Sequence, residues 1–285
     1  MLGFPKRQSF TSPRISPDAA RHFRIFAVAG VLAATALFTS GCDKLKARDN
    51  INGGTAAFKA GNFAAAADHF KTAVALDPTI PNIRIYLATA YIQQYIPGTE
   101  TAENKKYAEA AIEELNKQLE ADPKNVLATQ YLANVYYQMK DFPKAQEWSR
   151  KVVELDPKDK GALYTLGVIP WIEFVAADRE ARNNQKMKPE DPGPLKDPKE
   201  RAALKEKYWQ SLTDGIEYEK KALAVDPEYE NAMAYMNLLI RYRADLRDTK
   251  EEYQADVKEA DDWVQKSLET TKIKAERKAA NPNAK

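Results

Sequence analysis

A single cysteine, Cys42, leaves the chain without any intrachain disulfide, so its stability must come from packing. Histidine is almost as scarce: beyond the first forty residues only His69 remains. One histidine without cysteine partners builds neither a Cys/His metal site nor a Ser/His/Asp set, and it reads as a solvated helix residue. Glycine forms no phosphate-cradling loop and no GxGxxG after a strand. No stretch alternates apolar and polar residues as strands do, which excludes extensive sheet. Charge of one sign is missing too. The formal total is +2, residues 1–41 hold a net +4, and the remainder carries −2. No basic cluster with interleaved aromatics appears, so nucleic acid is not an expected partner. Carboxylate runs such as Glu259-Ala260-Asp261-Asp262 read as exposed helix faces. With no nucleophile, metal or cofactor pattern, the chain is expected not to be an enzyme and to need neither metal nor cofactor.

What is present is helical periodicity, clearest over Val126–Pro157. Leu127, Tyr131, Leu132, Val135 and Tyr136 recur at three- and four-residue spacing, as do Ala145, Trp148, Val152 and Leu155. Between them, Lys140-Asp141-Phe142-Pro143 stops one helix and starts the next. Pro143 suits a first helical turn, and Asp141 or Phe142 stands near the cap. Asp156-Pro157 closes the unit, because the residue before a proline is pushed out of helical geometry.

This unit resembles one tetratricopeptide repeat. Leu132, Ala133, Tyr136, Ala145, Val152 and Pro157 match the family's packing positions, small residues allowing close approach of the two helices. Ser149 stands where the family prefers an aromatic, with Trp148 beside it. The closing signature recurs as Leu76-Asp77-Pro78, Ala121-Asp122-Pro123, Leu155-Asp156-Pro157 and Val225-Asp226-Pro227. Its prolines are spaced by 45, 34 and 70 residues. The middle spacing is the family's period, and the others fit the same period with insertions. The resemblance implies an all-α fold: an α-solenoid of about five helical hairpins coiled into a right-handed superhelix.

The expected repeats are 47–80, 81–125 with an insertion at 96–104, 126–159, 160–229 with an insertion at about 182–198, and 230–270. In the first, Gly54, Gly61, Asn62, Phe63, Ala66, Phe70, Ala73 and Pro78 fall on the family pattern. In the second, Leu87, Ala88 and Tyr91 do so, followed by Ala110 or Ala111. In the fourth, Leu166 and Gly167 match, but Pro170 should kink the helix. The 182–198 segment, with four prolines and a glycine, reads as a loop. Its partner helix, about Lys199–Val225, lines up Leu204, Tyr208, Leu212, Ile216 and Leu223. The fifth repeat offers Met233, Met236, Leu239 and Ile240, then Tyr253, Val257, Ala260, Val264 and Leu268. Residues 271–285 are expected to form a basic, frayed tail.

The start of the chain has its own logic. Ile25–Phe38 is 14 apolar residues behind a basic stretch, short for a membrane span and right for a signal-peptide core. Thr39-Ser40-Gly41-Cys42 follows and resembles a bacterial lipobox. The resemblance implies a signal peptide over 1–41, cleavage before Cys42, lipidation of its thiol and amine with palmitate-class chains, and a short linker over 42–46. Each buried CH₂ would contribute roughly 0.8 kcal/mol to anchoring. An uncleaved anchor helix and an ordinary cleaved signal with a free thiol are the alternatives. The implied location is a bacterial membrane, with the soluble part in the periplasm or outside the cell. Asp43 resembles an inner-membrane retention signal of enteric lipoproteins, a rule other lineages do not follow, so the choice of membrane stays open.

In tetratricopeptide arrays the first helices line a concave groove. The resemblance places Thr89, Ile92 and Gln93 there, then Gln130, Asn134, Tyr137 and Gln138. Tyr164, Val168, Trp171 and Ile172 follow, then Asn231, Leu238, Arg241 and Tyr242. Such a groove is amide- and aromatic-rich, suited to a protein or peptide ligand. The alternative for Tyr137, Tyr164 and Trp171 is packing between repeats. Of the carboxylate-clamp set that grips chaperone tails, only Asn134 has a counterpart. The expected function is a membrane-anchored scaffold of the cell envelope. The competing readings are an enzyme or small-molecule site on 183–228, with a pocket near Pro170, Trp171, Tyr208 and Trp209, and a self-assembling spacer that forms a homo-oligomer.

Overall fold

The computed structural model describes residues 42–281, which are helical, with no strand among them. The chain divides into two compact units, Met1–Ile83 and Arg84–Lys285.

The described part of the first unit is one helical hairpin. α1 covers residues 42–59 and α2 covers Phe63–Leu76. The turn between them uses Gly61 at φ +76°, a conformation costly for any residue with a side chain. Asn62 then caps α2, accepting from Ala65 N at 3.1 Å. Gly54 on α1 faces Phe70 on α2. A β-carbon at Gly54 would lie 2.6 Å from the ring, so the aromatic occupies the space the glycine leaves. Ala47, Ala66, Phe70 and Ala73 form the buried face. The 42–46 linker expected from the sequence is therefore already helix, fixed from its near end by Ala47, which is fully buried.

The second unit runs through α3 (Ile83–Ile92), α4 (Ala102–Ala121), α5 (Val126–Gln138), α6 (Phe142–Leu155), α7 (Lys160–Asn184), α8 (Pro198–Val225), α9 (Glu230–Ala244) and α10 (Lys250–Ala280). The four Asp-Pro signals end α2, α4, α6 and α8, the second helix of each hairpin. At each, the aspartate is extended (φ −135° to −149°) and its N–H closes on the carbonyl four residues back. Helix starts carry the expected chemistry: Asp141 caps α6, with Pro143 in its first turn, and Asp159 caps α7. Thr249 and Glu252 make a capping box on α10.

The first insertion is closed by Asn104. Its side chain accepts from Ile96 N and donates to the carbonyls of Ile96 and Thr99 at 2.7–2.9 Å, satisfying a loop that would otherwise bury bare backbone. One core joins α3 to α5 through Ile85, Leu115, Leu132 and Val135, with Ala111 as the small contact residue. Another joins α7 to α10 through Phe174, Leu212, Met233, Met236, Ile240 and Ala260. α7 does not stop at Pro170, which is buried within it. Gly215 of α8 lies against the Gly167 carbonyl and the Pro170 ring, a closeness that a larger residue would prevent.

Two expectations fail in α10. The helix continues to Ala280, where fraying was expected from 271. Arg277 reaches Glu228 at 2.6 Å and Lys274 reaches Glu230 at 2.9 Å, tying the last turns to the start of α9. Leu268, expected in the core, is 59% exposed. The inner face instead carries Asp256, buried and gripped by Arg247 at 2.8 and 2.9 Å, so a charged pair took a place that hydrophobic periodicity could not indicate.

Candidate functional site

The place of the repeat held by Phe70 in the first hairpin is filled by Leu115, Ser149 and Glu219 in the next three. All are buried. Glu219 faces Gly167 as Phe70 faces Gly54: a β-carbon at Gly167 would stand 2.3 Å from its carboxyl. Ser149 Oγ and both carboxyl oxygens of Glu219 have no hydrogen-bond partner. Burial pushes the Glu219 carboxyl up to about 9, so it is neutral at physiological pH.

Over Ser149 the packing opens into a cleft of about 450 Å³ between α5 and α7, with α6 as its floor. Gln130, Asn134 and Tyr137 line it from α5, Ser149 and Val152 from α6, and Thr165 from α7. The amides are ordered by neighbours: Gln138 donates to Asn134 at 2.6 Å, and Gln130 donates to Asp159. Asp159 in turn holds the first turn of α7 through Ala162 N at 2.7 Å. The Tyr137 ring leans on Phe142 at 6.1 Å, and burial raises its hydroxyl above the usual tyrosine range. Expected groove residues Gln130, Asn134 and Tyr137 thus converge. Asp159, Ser149 and Thr165 complete the site, and of these only Ser149 was visible beforehand, as a departure from the repeat pattern.

The other expected residues do not join this cleft. Tyr164, Trp171 and Tyr242 pack against one another's neighbours between α7 and α9. Tyr164 meets Tyr235 at 5.4 Å and Tyr229 at 5.7 Å, while Trp171 meets Tyr235 at 5.5 Å and Tyr242 at 5.9 Å, all edge to face. These rings pack between repeats. Trp171 Nε1 is buried there without a partner. Arg241 is ion-paired with Asp261 at 2.5 Å. Thr89 donates to Ile85 O at 2.7 Å within its own helix, and Gln93 is exposed; neither lines the cleft. Cys42 is exposed, as is His69, whose Nδ1 lies 3.1 Å from Asn50 Oδ1.

The second insertion builds a different cleft, also of about 450 Å³, away from the expected Pro170–Trp209 neighbourhood. Arg182 grips Asp245 through two nitrogens at 2.6–3.0 Å and donates to the carbonyls of Lys188 and Asp191, pinning the 185–197 loop. Burial and the neighbouring Asp245 push Asp178 up to about 7. Trp209 is instead covered by Arg243 and Arg247, at 5.2 and 4.7 Å.

Residues 102–167 match the tetratricopeptide repeat family. That match spans α4 to the first two turns of α7 and includes the whole α5–α6 hairpin over which the cleft opens. The chain is similar in fold to the solved structure "Crystal structure of MamA protein", at 16% identity and a TM-score of 0.53, covering 81% of this chain and 94% of that one. It is likewise similar to MamA from Desulfovibrio magneticus RS-1, at 18% identity and a TM-score of 0.52, covering 80% and 96%. No curated protein matches it. The fold is thus an all-α solenoid of tetratricopeptide-type hairpins.

Proposed function

We propose that this protein is a lipid-anchored scaffold of the bacterial cell envelope that holds a protein partner in the α5–α7 cleft. The observation that carries the reading is the cleft itself. It is open to solvent, rimmed by amides that can pair with a peptide backbone, and floored by Val152 and Ser149. Anchoring rests on the Thr39-Ser40-Gly41-Cys42 sequence and on the exposure of Cys42. No helix among the described residues is long and apolar enough to cross a membrane.

Cross-linking in native membranes, followed by mass spectrometry, tests the scaffold. Asn134→Ala with Gln130→Ala should lose the partner that the native chain retains; equal recovery would refute the groove. Metabolic labelling with palmitate should mark the native chain and not Cys42→Ser. A small-molecule site is favoured by the cleft around Arg182, whose charged and aromatic lining includes Tyr242 and Tyr253. A ligand-dependent rise in thermal midpoint that Arg182→Ala abolishes would support it.

A further inference from the structure

We infer that the α5–α7 cleft is a slot for a tyrosine side chain of a bound peptide, which fills from outside the space that Phe70 fills within the first hairpin. The inference rests on the groove reading and names what the groove selects.

Three observations converge. First, the same place in successive repeats carries Phe70, Leu115 and Ser149, and where the side chain shrinks to a hydroxymethyl group a cleft of about 450 Å³ opens. That volume is within the range of ligand pockets. Second, the floor of this cleft holds a hydroxyl, Ser149 Oγ, that is fully buried and has no hydrogen-bond partner. An aliphatic occupant would leave it so, at a cost; a phenol would pair with it. Third, the rim carries one charged group, the carboxylate of Asp159, and no cation. Asp159 is engaged by Gln130 and by Ala162 N, and no lysine or arginine lines the cleft. An anionic tail therefore finds no counter-charge. A neutral aromatic group with a polar tip does find a match: Val152 and Tyr137 along its ring, Ser149 at its hydroxyl, and Asn134 at the entrance for the peptide backbone.

The test uses the full chain in detergent, with N-acetyl-tyrosinamide, N-acetyl-phenylalaninamide and N-acetyl-leucinamide as probes read by amide chemical shifts. The tyrosine probe should give saturable shifts at Asn134, Ser149 and Thr165. The phenylalanine probe should bind about 2–10-fold more weakly, the factor expected for one hydrogen bond. The leucine probe should give no saturable shift. Ser149→Phe and Ser149→Leu should close the slot and abolish binding with an unchanged or raised thermal midpoint. Ser149→Ala should still bind but lose the preference for tyrosine over phenylalanine. If the larger substitutions unfold the hairpin, the Ser149→Ala discrimination decides. Absence of saturable shifts at these residues, equal binding of the leucine probe, or undiminished binding by Ser149→Leu would overturn the inference. If Ser149→Leu loses the tyrosine probe yet keeps the cross-linked partner, the scaffold stands and the slot as its recognition element falls. If the probe binds but no partner is ever recovered, the slot stands and the scaffold falls.

Discussion

The first and third hairpins follow one period and one turn chemistry, yet they differ where their two helices meet. Gly54 gives room and Phe70 takes it, which makes a closed core. Ala133 and Ser149 occupy the same two places and leave a cleft. Both hairpins hold because the helix approach depends on other residues: Ala66 and Ala73 in one, Ala145 and Val152 in the other, all fully buried. The fourth hairpin goes further, burying the neutral carboxyl of Glu219 against Gly167. One repeat position is thus filled by a ring in one hairpin and left beneath a cleft in another, on the same helical backbone.

The comparison can be broken by experiment. Phe70→Ala should cost about 3–5 kcal/mol of the first unit's stability, measured by urea unfolding, as for other large-to-small core changes. A loss below about 1 kcal/mol would show that the ring does not hold the hairpin. Glu219→Leu, which places Leu115's residue type in the fourth hairpin, should stabilise the second unit by about 1–3 kcal/mol at pH 7 by removing unpaired buried oxygens. The effect should depend on pH. The folded chain keeps a proton on Glu219 up to about pH 9 that the unfolded chain releases near pH 4.5. Native stability therefore falls as pH rises through that window and levels off above it, while the leucine variant lacks this slope. Parallel thermal midpoints of the two proteins from pH 5 to 9 would refute the assignment. Gly54→Ala should cost about 1–3 kcal/mol through overpacking, and Phe70→Leu should recover part of it in the double variant. Ser149→Ala should change stability least, by less than about 1 kcal/mol, since it removes a hydroxyl that pairs with nothing.

Much of the architecture was legible beforehand. The four Asp-Pro closures, the Asp141 cap with Pro143 behind it, and the alignment of Met233, Met236, Leu239 and Ile240 all depend on neighbours within a turn or two. The site was only partly legible. Gln130, Asn134 and Tyr137 could be placed on one helix face, but Trp171, Tyr164 and Tyr242 could not be assigned between groove and packing, since both roles use the same helix face and the same residue types.

Local chemistry alone determined where helices start, where they stop and how often the pattern repeats, because caps, prolines and periodicity act over a few residues. Tertiary structure decided whether a given face meets solvent or another helix. It turned Ser149 into the floor of a cleft and Glu219 into a neutral buried acid, put Asp256 inside with Arg247, and extended α10 by tying Arg277 to Glu228. These outcomes depend on which volumes and charges arrive from distant parts of the chain, and that information lies in no single stretch of sequence.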